Sequence, residues 1–240
     1  MTKNFMRALG GLSATFLLSL SVQAGEQAAP GMPPNMAQVW LTVLLRGSAW
    51  TAGQTPEAER LQQQHVACLD ELARAGHSLV MGPFMDQGPI EGLVVLGVGS
   101  LEEATTLMEA DPAVKARHVA IEIHPWWVAK DAFRKPAPPP RLVTYYFAFL
   151  LRGPEWTPEQ TPELERLQEA HLANIRRLAE TGKLVIAGPF SDGGTLRGVF
   201  VFKTETLEEA KALADTDPAV QARRLVLEFH PWLVPAGALP

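Results

Sequence analysis

His65 and His171 are the first candidates for chemistry, because an imidazole is the side chain best suited to exchanging protons near neutral pH. Leu61, His65, Leu69, Leu72 and Ala73 recur at helical spacing, as do Leu164, Leu167, His171, Ile175 and Leu178. Each imidazole therefore rides the apolar stripe of a helix and looks toward whatever that helix covers. A neutral imidazole in a dry pocket is a good general base. A core histidine bonded to backbone is the open alternative. Asp111 and Asp217 each precede a proline. A carboxylate there either accepts backbone N–H groups in a turn or orients a histidine and shares in proton transfer.

Arg46 and Arg152 close a short apolar run and stand next to Gly47 and Gly153. At a strand end a guanidinium can grip an anionic substrate with two parallel hydrogen bonds, or it can pair with a nearby Glu. Trp50 and Trp156 follow in an R-G-x-x-W-T loop, where an indole either walls a pocket for a planar ring or packs the loop. His124 and His230 belong to H-P-W triplets, with Glu122 and Glu228 two residues earlier on the same strand face. With His65 they could be imagined as metal ligands, but the spacing matches no metal motif; no metal and no other cofactor is expected. Cys68 is the single cysteine, so no intrachain disulfide can form, and its place beside Leu69 and Leu72 reads as a small hydrophobe.

What positions these residues is a repeat. Leu44-Leu45-Arg46-Gly47 returns as Leu150-Leu151-Arg152-Gly153, Gly82-Pro83-Phe84 as Gly188-Pro189-Phe190, and Asp111-Pro112-Ala113-Val114 as Asp217-Pro218-Ala219-Val220. The offset is constant and needs no insertion; about half of the aligned positions are identical. Each copy reads βαββαβ. In the first, strands are expected over Val39 to Leu45, Ser78 to Met81, Gly92 to Val98 and Val119 to Ile123. One helix starts at Thr55-Pro56-Glu57 and is stopped by Gly76; another runs from Leu101 to Ala110, capped by Ser100 with Glu103 three residues on. Asp111-Pro112 ends that helix, and Gly82-Pro83 marks a bend where backbone approaches closely. Lys135 to Pro140 is a stiff, extended linker between the copies. The expected organisation is a signal peptide over 1–24, a loose segment over 25–37, domains over 38–128 and 142–234, a linker over 129–141 and a tail over 235–240.

Apolar residues make up 47% of the 240, enough for a real core, and the net charge of −5 argues against a nucleic-acid partner. Lys3 and Arg7, the apolar run from Ala8 to Val22 and the small residues of Val22-Gln23-Ala24 read as a secretory signal cleaved after Ala24. A periplasmic or secreted protein follows, with no stable membrane insertion after cleavage.

Taken in order, these motifs resemble the YciI-like (YCII-related) family of the dimeric α+β barrel, ferredoxin-like superfamily. The carriers are the strand ending in a short loop, E-x-x-x-x-x-H (Glu59 to His65, Glu165 to His171), the G-P after the second strand, D-P-A-V and the terminal H-P-W. The resemblance implies an α+β fold of two tandem ferredoxin-like domains pairing sheet against sheet as an intrachain pseudo-dimer. It also implies a histidine at His65 and His171 matching the general base of a family enzyme that eliminates hydrogen chloride from a chlorinated hydroxyquinone with a His–Asp pair. In such members the Asp ends the first strand, where this chain has Arg46 and Arg152, so the dyad is not carried over intact; Asp111 and Asp217 match the family's D-P position. The expected function is a cofactor-free lyase or isomerase acting on a small acidic or ring-shaped metabolite. His65, His171, Asp111 and Asp217 would be catalytic, and Arg46, Arg152, Trp50 and Trp156 would hold the substrate. A non-catalytic small-molecule-binding module and a structural or interaction protein are the alternatives, and further oligomerisation stays open.

Overall fold

In the computed structural model, residues 35–53, 55–137 and 141–240 are described. The signal-peptide reading and Pro138 to Pro140 of the linker lie outside them. The first half runs β1 (Met36–Arg46), α1 (Pro56–Ala75), β2 (Ser78–Pro83), β3 (Ile90–Leu96), α2 (Leu101–Glu109), α3 (Pro112–Lys115) and β4 (Val119–Ala129). The second repeats it as β5 (Leu142–Arg152), α4 (Pro162–Glu180), β6 (Leu184–Pro189), β7 (Leu196–Phe202), α5 (Leu207–Ala214), α6 (Pro218–Gln221) and β8 (Leu225–Pro235). Each half is a four-stranded antiparallel sheet, ordered β2-β3-β1-β4 and β6-β7-β5-β8, the ferredoxin-like order.

Both faces of each central strand are covered, which is why β1 and β5 read as nearly continuous apolar runs. Alternate residues serve different cores. Leu41 and Val43 join Trp126, Phe147, Phe149 and Trp232 in one core built by both halves between the sheets. Trp40 and Leu44 face the other way and pack with Leu72, Ala104 and Met108 under the helices of the first half. Leu150, Leu178 and Phe202 do the same in the second. Burial of a side chain such as Phe147 is worth about 2 kcal/mol, and the shared core makes each half the other's lid.

The helix caps follow the sequence: Thr55 and Ser100 accept from the N–H of Ala58 and Glu103, and Gly76 stops α1 in the left-handed region at φ 80°. Several features differ from expectation. The last strand does not end at Ile123 but continues through His124-Pro125-Trp126 to Ala129. Pro125 is tolerated because β4 is an edge strand, and its carbonyl instead accepts from Ser191 N of the other half at 3.1 Å. Asp111 does more than end a helix, for it caps the separate single turn α3. And the 235–240 segment buries Ala238 and Leu239 in the shared core, while β1 already begins at Met36 within the segment expected to be loose.

Gly82 and Gly188 lie within strands rather than at a bend, and at each the backbone of the other half approaches closely. A Cβ on Gly82 would fall on the carbonyl oxygen of Leu233, and one on Gly188 on that of Trp127. Trp232 Nε1 donates to Gly82 O at 3.1 Å and Trp126 Nε1 to Gly188 O at 3.2 Å, so each half's indole is seated on the other's glycine. Among the described residues no helix is long and apolar enough to cross a membrane.

Candidate active site

His65 lies on the buried stripe of α1 and Asp111 heads α3, two elements that pack together. His65 Nδ1 sits 2.6 Å from Asp111 Oδ2, while Asp111 Oδ1 accepts from Ala113 N at 2.7 Å. The cap that starts α3 thus holds the carboxylate against the imidazole. His65 is 7% exposed and Asp111 fully enclosed, so the pair sits where hydrogen bonds are strong and an unpaired charge would be costly. Burial would raise the Asp111 carboxyl, but the hydrogen bond and charge of His65 and the N–H groups of Ala113 and Val114 outweigh it and hold it below its ordinary value. An ionised carboxylate can only accept, so Nδ1 carries a proton, and it is in the neutral ring that Nε2 keeps a free lone pair.

The second half repeats this arrangement with more support. His171 Nδ1 lies 2.8 Å from Asp217 Oδ2, Ala219 N donates to Oδ1 at 2.9 Å, and Asn174 Nδ2 donates to Oδ2 at 3.3 Å. Phe200 stacks on the His171 ring at 6.0 Å. Cys68 stands where the second half has Asn174. Burial, then the charges of Asp111 and Glu71, push its thiol up, which disfavours the thiolate.

Arg46 and Arg152 do not touch these pairs. Gly47 and Gly153 let the chain after β1 and β5 pass over the carbonyls of Arg117 and Arg223, residues held at φ 57° and 55°, and this loop lays each indole on its arginine. Arg46 lies 4.2 Å from the Trp50 ring centre and Arg152 3.9 Å from that of Trp156. Arg46 Nε is also paired with Glu91 Oε1 at 2.8 Å on β3. Arg152 instead donates through Nη2 to Gly193 O at 2.6 Å. The tryptophans therefore offer a face to a guanidinium of their own chain, and neither Arg46 nor Arg152 makes a hydrogen bond to the His65–Asp111 or His171–Asp217 pair.

His124 and His230 face the space between the sheets, on the opposite side of each sheet from His65 and His171. His230 Nδ1 meets Asp86 Oδ2 and His124 Nδ1 meets Asp192 Oδ2, both at 2.7 Å and both across the two halves. Glu228 lies 3.4 Å and Glu122 3.8 Å from the Nε2 atoms without a hydrogen bond, and both Nε2 atoms are buried and unpartnered. Among the described residues no group of three or more His, Cys, Asp or Glu side chains could hold a metal. Asp86 and Asp192 escaped the sequence reading because each looks like a turn residue; their equivalence in the repeat was the one available signal. A cavity of about 260 Å³ lies elsewhere, beside Arg141, Tyr145, Lys203 and Gly237, and none of these candidate residues lines it.

The family described as YCII-related domain matches residues 45–127 and 151–230. No curated protein matches the chain. Among solved structures, a candidate chlorite dismutase, TA0507, aligns at a TM-score of 0.54 and 10% identity, over 83% of this chain and 94% of that one. A haem-binding protein from Thermus thermophilus aligns at 0.48 and 16% identity, over 85% and 92%. The likeness to TA0507 is one of fold, two paired α+β halves.

Proposed function

We propose that this chain, which belongs to the YCII-related domain family, is an exported, cofactor-free lyase or isomerase in which His65 and His171 act as general bases on a small acidic metabolite. The observation that carries the reading is the His65–Asp111 contact at 2.6 Å, repeated independently by His171–Asp217. Each carboxylate fixes its ring's tautomer and stabilises the imidazolium formed when Nε2 takes a proton. The substrate must therefore carry an acidic C–H, as next to a carbonyl. Nε2 removes that proton, and the C–H electron pair becomes a carbon–carbon double bond. The resulting enolate is either reprotonated at another carbon or expels a β-leaving group with its bonding electrons. Arg46 is already neutralised by Glu91 and has no part in this reading.

The name of the Thermus protein carries haem binding. A histidine-ligated haem between the sheets would need an imidazole Nε2 facing an open slot wide enough for its macrocycle. Phe84 instead lies flat on His230 at 4.4 Å, the His124 and His230 Nε2 atoms are enclosed, and Trp126, Phe147 and Trp232 fill the space between the sheets. These residues do not fit haem there.

The test is turnover of a panel of small carboxylates, lactones and hydroxyquinones by the wild type and by His65→Ala/His171→Ala. Loss of turnover in a double variant that still unfolds cooperatively supports the assignment. Unchanged turnover removes it.

A further inference from the structure

Glu91 and Arg197 occupy the same place in the two repeats and give it opposite charge. In the first half Glu91 lies on β3 beside Arg46 and neutralises it. In the second half the matching strand, β7, brings a second cation. The Arg152 and Arg197 guanidiniums lie 3.9 Å and 5.7 Å from the centre of one indole, Trp156. Arg152 spends Nη2 on Gly193 O, and Arg197 Nη1 reaches Gly194 O at only 3.5 Å. Arg152 Nε is buried without an acceptor among the described residues. Asp192 is the acidic group that reaches Arg197, but its oxygens are held by His124 Nδ1 and Gly194 N. Burial, then the charge of Arg152, press the Arg197 guanidinium below its ordinary value.

Two like charges drawn to one ring, one of them with a buried donor unspent, make a site that lacks its counter-ion. A guanidinium held over an indole face can keep N–H groups at its edge for two oxygens of one anion. The loop Ser191 to Thr195 beside it is exposed, so the site is reachable from solvent. That loop is anchored to the first half through His124 and Asp192, so the site is complete only when the halves are docked.

We infer that the second half carries an oxyanion-binding site, formed by Arg152 and Arg197 on Trp156, which takes the carboxylate or phosphate-type group of a small metabolite, and that the first half has no counterpart. The site is separate from the His171–Asp217 pair and does not depend on its chemistry.

Calorimetric titration of the full chain with malonate, and separately with inorganic phosphate, tests this. The wild type should bind at one site per chain; tighter malonate assigns carboxylates, and tighter phosphate assigns phosphate-type groups. Arg197→Glu recreates the ion pair of the first half, so it should fold and should weaken binding by about tenfold or more. Glu91→Arg should create a second site. His65→Ala/His171→Ala should bind as the wild type does, which separates this site from the proposed catalysis. Absence of saturable binding of either probe to the wild type, unchanged affinity in Arg197→Glu, or a stoichiometry still of one in Glu91→Arg would overturn the inference.

Discussion

His230 Nδ1 lies 2.7 Å from Asp86 Oδ2, joining the last strand of the second half to the β2–β3 turn of the first, 144 residues away in the chain. His124 and Asp192 make the reciprocal contact. The two bonds sit at symmetric places, and Phe84 roofs one of them. They clamp a pair of halves whose sheets are already held by a shared apolar core.

Removing one member should loosen the clamp without opening the sheets. His230→Ala loses both the Asp86 bond and the Phe84 stack, and is expected to cost about 2 kcal/mol in urea unfolding. Asp86 is partly exposed, so Asp86→Asn should cost less. Equal midpoints for His230→Ala and the wild type would show that the clamp contributes nothing.

Gly82→Ala and Gly188→Ala should be more damaging. The added methyl meets backbone carbonyl, of Leu233 or Trp127, which cannot rotate aside as a side chain would. A loss of about 3 kcal/mol or more is expected for either, because the halves must separate to admit it. Thermal unfolding at an unshifted temperature would contradict the close approach.

Asp111 makes a prediction with a definite sign. Its carboxyl is held below its ordinary value of 3.8, so as pH falls the unfolded chain takes up a proton there before the folded one does. The contribution is complete above that ordinary value and is lost as pH falls through the lowered one. Asp111→Asn should therefore be less stable than the wild type at neutral pH, and the gap should close on acidification below about 4. Denaturant midpoints at several pH values give the answer; a gap independent of pH would mean that the carboxylate's charge is not what matters.

Cys68 should alkylate slowly. Burial and the neighbouring charges of Asp111 and Glu71 disfavour its thiolate, so iodoacetamide at neutral pH should leave it largely unmodified by intact-mass measurement. Asp111→Asn removes one of those charges and should speed the reaction. A wild-type rate equal to that of a free thiol would contradict the burial.

Much of this molecule is legible before folding. Helix starts at Thr55 and Ser100 and the stop at Gly76 are local: a side-chain oxygen reaches an N–H a few residues on, and glycine takes a left-handed φ. The repeat, with its constant spacing, announces two copies of one fold. That Asp111 meets His65 was open, because a carboxylate before proline serves as a cap whether or not an imidazole lies above it; here it does both. The reach of β4 past Pro125 was hidden, since only its edge position makes that proline harmless.

Local order and the kinds of residue on each stripe were thus determined by the sequence itself, through hydrogen bonds and periodicities that span a few residues. Which charges meet was decided only by the tertiary structure. Arg46 finds Glu91 while Arg152 finds Arg197, and His124 and His230 find Asp192 and Asp86 across the halves. The physical reason is that these contacts depend on strand order and on the docking of two sheets, which bring together residues that spacing along the chain leaves unrelated.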